Sequence, residues 1–271
     1  MKFSILLSLL VLLIFMGCSS SKKVSQHIKK NDKTTENLYL TAQGEFHNKN
    51  YQLALESFKK FIESKGSDKD RIKFFWSINN VARIYLREQK SPKEAIIFFE
   101  GLLTRFKFNE AEEDAILEWI SVSKEWQSLG RMPRNIKTPE ELFRIGEKFY
   151  RQGMDKIEFP ADDSGNADFF IAATYLVPYV FNYDNGAHVG KALFMLGNIR
   201  FRSWNDYEYW TENFYLKEVI RRYPYSDLSW KAYQVLEQGI RRGYTGSSGD
   251  HTPPSQIKML DQLKVIAKPK K

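Results

Sequence analysis

Cysteine is almost missing from this chain: Cys18 is the single one in 271 residues. A secreted domain stapled by disulfides would carry an even and larger set, so that class is excluded. Histidine is scarce too, with His27, His47, His188 and His251. None stands three to five residues from another histidine or from the cysteine, which leaves a zinc constellation without support. Strand-like alternation is absent, and proline and glycine fall mainly between periodic segments. An all-β or mixed fold is therefore not expected.

Other chemistry is missing as well. "DDSGNAD", Asp162 to Asp168, has the composition of a calcium loop but lacks its ligand spacing and closing glutamate, and reads as a solvated loop capping the next helix. "GYTGSSGDHTPPS", 243 to 255, holds three glycines, yet a helix precedes it and the spacing is not that of a phosphate cradle. It is expected to be a helix stop followed by a long turn. No pair of carboxylates stands out as a glycan-hydrolysing pair. No catalytic residue, metal site or cofactor is expected.

Charge is present but has no stripe. The formal net charge is +8. The segment 19–35 and the last eight residues each carry +4. Setting these and Lys2 aside leaves 31 basic against 32 acidic residues between 36 and 263, a nearly neutral body. No nucleic-acid partner is expected from such a distribution. Both basic runs read as solubilising, disordered ends; the alternative is attraction of the lysines near the start to anionic lipid head groups, each contributing about 1 kcal/mol close to the surface.

What is present begins with an uncharged run, Phe3 to Met16, of secretory-signal length and shorter than the ~20 residues of a spanning helix. Gly17 and Cys18 follow it directly. This resembles the lipobox of bacterial lipoproteins, although Phe15 and Met16 depart from its usual residues. The resemblance implies cleavage before Cys18 and a lipidated cysteine, a membrane attachment that two or more acyl chains make stable. Ser19 after the cysteine implies, by the same likeness, outer-membrane localisation facing the periplasm. The expected organisation is a signal peptide over 1–17 and a basic tether over 18–35.

From Glu36 onward the pattern is helical, with about eleven helices. Asn109 paired with Glu112, and Thr138-Pro139-Glu140-Glu141, mark helix starts; Gly130 and Gly153 stand where C-terminal caps belong. A repeat then emerges at a spacing of about 34 residues or somewhat more. Leu38, Ala42, Tyr51, Ala54 and Phe58 are answered by Ile78, Val81, Ala82, Tyr85, Ala95 and Phe99, with one extra residue in the turn. Leu142, Ile145, Gly146, Phe149 and Gly153 form a third first-helix, and Leu193, Leu196 and Gly197 a fourth. Pro224, Ser226 and Ala232 mark a closing proline and the next capped helix.

Over residues 36–242 the chain therefore resembles tetratricopeptide-repeat proteins. The likeness implies an all-α, tetratricopeptide-like solenoid of helical hairpins, with residues 243–271 forming a Gly-rich loop, a capping helix from Pro254 to Ala267 and a basic tail. In plan it is similar to the repeat lipoprotein of the outer-membrane β-barrel assembly complex and to pilotin-like lipoproteins. The family's concave groove implies partner contacts from Tyr39, Gln43, Phe46, Trp76, Asn79, Arg83, Arg87, Phe143, Glu147, Tyr150, Arg151, Phe194, Asn198 and Arg202. About half of these are expected to be exposed. Changing Arg83 and Tyr150 to alanine is expected to weaken capture of envelope partners without unfolding the array. The expected function is a lipid-anchored scaffold for protein–protein interaction in an envelope assembly or secretion complex. The rivals are a peptidoglycan-acting enzyme or peptidoglycan-binding module, and a purely structural spacer.

Overall fold

A computed structural model describes residues 30–64, 70–159, 164–202, 209–247 and 249–270, with backbone only for 30–34, 200–202 and 209–213. The described residues form eleven helices. They are α1 (Lys30–His47), α2 (Tyr51–Glu63), α3 (Arg71–Arg83), α4 (Pro92–Arg105), α5 (Glu110–Leu129), α6 (Pro139–Asp155), α7 (Asn166–Asn182), α8 (Val189–Arg202), α9 (Tyr209–Arg222), α10 (Asp227–Tyr244) and α11 (Pro254–Ala267). The fold is all-α. Cys18, the signal run and most of the basic tether lie outside the described residues.

Local chemistry sets the helix ends. The Asn109 side chain accepts from the Glu112 amide while the Glu112 carboxylate accepts from the Asn109 amide, a complete capping box at the start of α5. The same helix ends on Gly130 in the left-handed conformation (φ 61°). Asp70 caps α3 and Ser226 caps α10 through their side chains. Proline occupies the first turn of α4, α6 and α11, where its missing N–H costs no helical bond. At Thr138 the side chain makes no capping bond, so the proline and the acidic residues that follow carry that start. Gly153 differs from expectation: it lies inside α6, buried against Phe169, and α6 runs on to Asp155.

Neighbours in sequence pack in the pairs α1–α2, α2–α3, α4–α5, α6–α7, α7–α8, α8–α9, α9–α10 and α10–α11, and helices two apart also touch in the pairs α5–α7, α6–α8, α8–α10 and α9–α11. At the first pairs the register can be read from side chains. Lys73 pairs with Glu36 at 2.9 Å, and the Arg83 guanidinium lies 4.9 Å from the Phe46 ring centroid. Both contacts join residues 37 apart, so α1 and α3 run parallel. The repeat positions read from sequence are the hairpin contacts: Ala42, Ala54, Ala82, Ala95 and Ala232 are fully buried. A Cβ on Gly146 would sit 2.7 Å from Leu176, and one on Gly197 would sit 2.5 Å from Leu216, so both glycines let paired helices close up. Beside them Phe58, Phe74, Phe99, Phe149 and Tyr233 fill the space; fully burying such a side chain contributes about 1.5–3 kcal/mol.

Two features depart from a plain run of hairpins. The extra residue of the second repeat is absorbed at the end of α3 as a π turn, Ile84–Glu88, in which the Gln89 amide donates to the Ile84 carbonyl five residues back. This turn packs on α4 and on α7, where the Thr174 hydroxyl lies 3.5 Å from the Leu86 carbonyl oxygen. The 20-residue helix α5 stands between the second and third pairs, packed on α4 and on α7. At the far end, α11 covers α10 and α9 with Leu260, Leu263 and Ala267, as expected of a capping helix. The expected loop before it is shorter than 243–255: α10 extends through Tyr244, and Thr245–Gly246 pairs antiparallel with Gly249–Asp250.

Candidate interaction surface

The fourteen groove positions divide by whether a neighbouring helix meets them. Five are buried. Tyr39 packs against Phe61 of α2 with ring centroids 5.3 Å apart. Arg83, only 6% exposed, covers the Phe46 ring. Phe143 stacks on His188 at 4.3 Å and 15°. Tyr150 and Asn198 are hydrogen-bonded to each other, the Asn198 amide donating to the Tyr150 hydroxyl at 2.6 Å. The expectation that Arg83 and Tyr150 could be truncated with effects on capture alone is corrected here. Both lie in the packing between parallel helices, because α1 faces α3 and α6 faces α8 along that line of residues.

The remaining positions are partly or fully open. Gln43, Phe46, Asn79, Arg87, Glu147 and Phe194 are half-buried. Gln43 donates to the Tyr39 hydroxyl at 3.0 Å, and Phe46 and Phe194 pack on the core. Arg87 lies within the π turn, 3.8 Å from Glu88. Glu147 and Arg151 pair with each other one turn apart on α6, at 2.8 Å. Trp76 is 38% exposed, one turn from Ile72 at 65%. Arg202 ends α8, and its side chain lies outside the described residues. The open face is thus centred on α3, where Ile72, Trp76 and Asn79 follow at helical spacing.

Two polar arrangements were not legible in the sequence. Trp126, fully buried, donates its indole N–H to the Tyr175 hydroxyl at 2.6 Å, and that hydroxyl donates to the Arg131 carbonyl at 2.6 Å. Burial pushes the Tyr175 phenol up to about 12, with the Trp126 bond acting weakly in the other direction. The second lies where α5, α6 and α7 meet. Lys156 bridges Asp168 (2.5 Å) and Glu118 (3.0 Å), the Gly165 amide donates to Glu118 at 2.9 Å, and Lys148 and Gln152 hold Glu125. Asp168 is fully buried within the first turn of α7, which corrects the solvated-loop reading at the end of "DDSGNAD"; Asp162 and Asp163 lie outside the described residues. Only the spacing from Lys156 to Asp168, across a turn joining two packed helices, could have hinted at it.

A cleft of about 240 Å³ opens between α2 and α4, lined by Ile62, Tyr85, Phe98 and Ile97 with Lys59 and Glu94. The Lys59 ammonium lies 5.1 Å from the Tyr85 ring centroid, and the Glu63–Arg105 ion pair (2.8 Å) also lines the cleft. His47 and His251 are exposed, and His188 is engaged in stacking. Among the described residues no group of three His, Cys, Asp or Glu side chains is placed to hold a metal ion, and no helix is long and apolar enough to cross a membrane. Comparison with protein-family models, with curated proteins and with solved structures finds no match to this chain.

Proposed function

We propose that the chain is a periplasmic lipoprotein, anchored to the outer membrane through Cys18, that acts as a scaffold binding other envelope proteins. Stacked helical hairpins of tetratricopeptide-like plan form the scaffold, and the basic segment ahead of α1 gives it reach. The observation that carries this reading is the face of α3, where Ile72 and Trp76 expose large apolar side chains beside the amide of Asn79. Tryptophan with polar neighbours is the composition of interface anchors. Apolar side chains are buried along the hairpin contacts, while Ile72 and Trp76 stay exposed on α3.

A photo-crosslinking residue placed at 72, 76 or 79 in cells should give discrete adducts with an envelope protein, and Trp76→Ala should remove those formed from 72 and 79. Adducts no stronger than those from Lys231, on the distant helix α10, would refute the surface. Cys18→Ser should move the protein from the membrane to the soluble periplasmic fraction. Retention in membranes washed with high salt would refute the anchor.

A further inference from the structure

The junction of α5, α6 and α7 holds more negative than positive groups around one fully buried carboxylate. Asp168, in the first turn of α7, is faced by Glu118 and Glu125 from α5, by Lys156 just beyond α6, and by Lys148 from α6 through its pairing with Glu125. With every group ionised, three carboxylates meet two ammoniums. One oxygen of Asp168, Oδ2, accepts from Lys156; the other, Oδ1, is buried and takes part in no hydrogen bond. A buried carboxylate oxygen without a donor is unfavourable, and the surplus charge adds to that cost. The Lys156 ammonium bonds both Asp168 and Glu118, so its one positive charge is divided between two carboxylates.

A proton on Oδ1 would cancel the surplus charge and leave a neutral carboxyl, whose burial costs far less than that of a carboxylate. We infer that Asp168 is a proton-binding site, and that loading it on acidification stabilises the junction of α5, α6 and α7. The carboxyl geometry agrees with its titration: burial pushes Asp168 up to about 6 against the pull of Lys156. The Lys156 ammonium is held above its usual value, burial being outweighed by its bonds to Asp168 and Glu118, so it stays charged throughout. The folded protein thus binds this proton more tightly than the unfolded chain, whose aspartates titrate near 3.9. Asp168 therefore contributes stability that grows as the pH falls through 6 and is lost as it rises. The inference stands apart from the proposed scaffold role.

Urea unfolding of the full chain and of Asp168→Asn, from pH 7.5 to 4.5, tests it. The amide cannot titrate, so the wild type should gain on the variant as the pH falls, by about 25-fold in the folding equilibrium constant between pH 7.5 and 4.5. A wild-type to variant ratio constant within about twofold across that range would overturn the inference. Should the variant fail to fold, hydrogen exchange at the Gly165 amide of the wild type decides. Its protection factor should rise between pH 7.5 and 5, and unchanged or falling protection would overturn the proposal.

Discussion

The Tyr150 hydroxyl accepts a 2.6 Å hydrogen bond from the amide of Asn198, 48 residues further along the chain. Both residues are buried, so the bond fastens α6 to α8 from within. Tyr150→Phe should leave the Asn198 amide without its acceptor and lower stability by about 1–3 kcal/mol. Tyr150→Ala adds an aromatic-sized void and should cost about 3–5 kcal/mol. Urea unfolding followed by circular dichroism measures both.

Glycine at 146 and 197 is required by close approach, whereas Gly44 has nothing within 4 Å of where its Cβ would lie. Gly146→Ala and Gly197→Ala should each lose about 1–3 kcal/mol, since the new methyl collides with Leu176 or Leu216. Gly44→Ala, inside α1, should raise stability by up to about 1 kcal/mol through helix propensity alone. Thermal melts of the three variants would show opposite signs. Equal losses at all three positions would argue against the hairpin contacts.

The Trp126–Tyr175 pair predicts an alkaline transition. Burial raises Tyr175 to about 12, and burial with Glu237 nearby raises Tyr233 to about 12 as well. Both phenols ionise more readily once the chain unfolds, where tyrosine titrates near 10. Their contribution is complete below pH 10 and is lost as the pH rises from 10 toward 12. Absorbance at 295 nm should show a late-titrating class of tyrosines, reduced in Tyr175→Phe. That variant should also lose about 1–3 kcal/mol, because the indole N–H of Trp126 is stranded.

How far these features could be read in advance follows from how local their causes are. The starts of α5, α6 and α11 were legible at Asn109, Pro139 and Pro254, because a cap or a proline acts within one turn. The tight positions Ala42, Ala82, Gly146 and Gly197 were legible because two helices in contact impose a spacing on small residues. Asp168 was not, since its solvated-looking loop is overruled by Glu118, 50 residues earlier. Tyr150 and Asn198 are buried by the contact of α6 with α8, again a long-range cause, whereas Trp76 is met by no neighbouring helix closely enough to cover it and stays 38% exposed. Gly153 had the look of a stop signal, yet close packing against Phe169 keeps it inside a helix.

At the start of α5, one carboxylate does two jobs. Glu112 closes the capping box and also receives the Arg71 guanidinium, Nε to Oε1 at 2.8 Å. Asn109→Ala should therefore cost about 1 kcal/mol, and Glu112→Ala more, since it also releases α3. The Arg71 hydrogen bond holds the Glu112 carboxyl below its ordinary value, with burial opposing and the Asn109 amide assisting. Its share of stability is present above about pH 4.5 and lost as the pH falls through its lowered value. Acid unfolding of Glu112→Gln should lack that component.

The surplus peptide unit wound into Ile84–Glu88 has a consequence for how the molecule is phased. A residue adds about 100° of rotation to a helix. Inside an unbroken α-helix one added residue would turn everything beyond it through that angle. The wide turn at Ile84–Glu88 takes up the surplus locally, so Leu86 meets Thr174 and the helices that follow keep their angular phase.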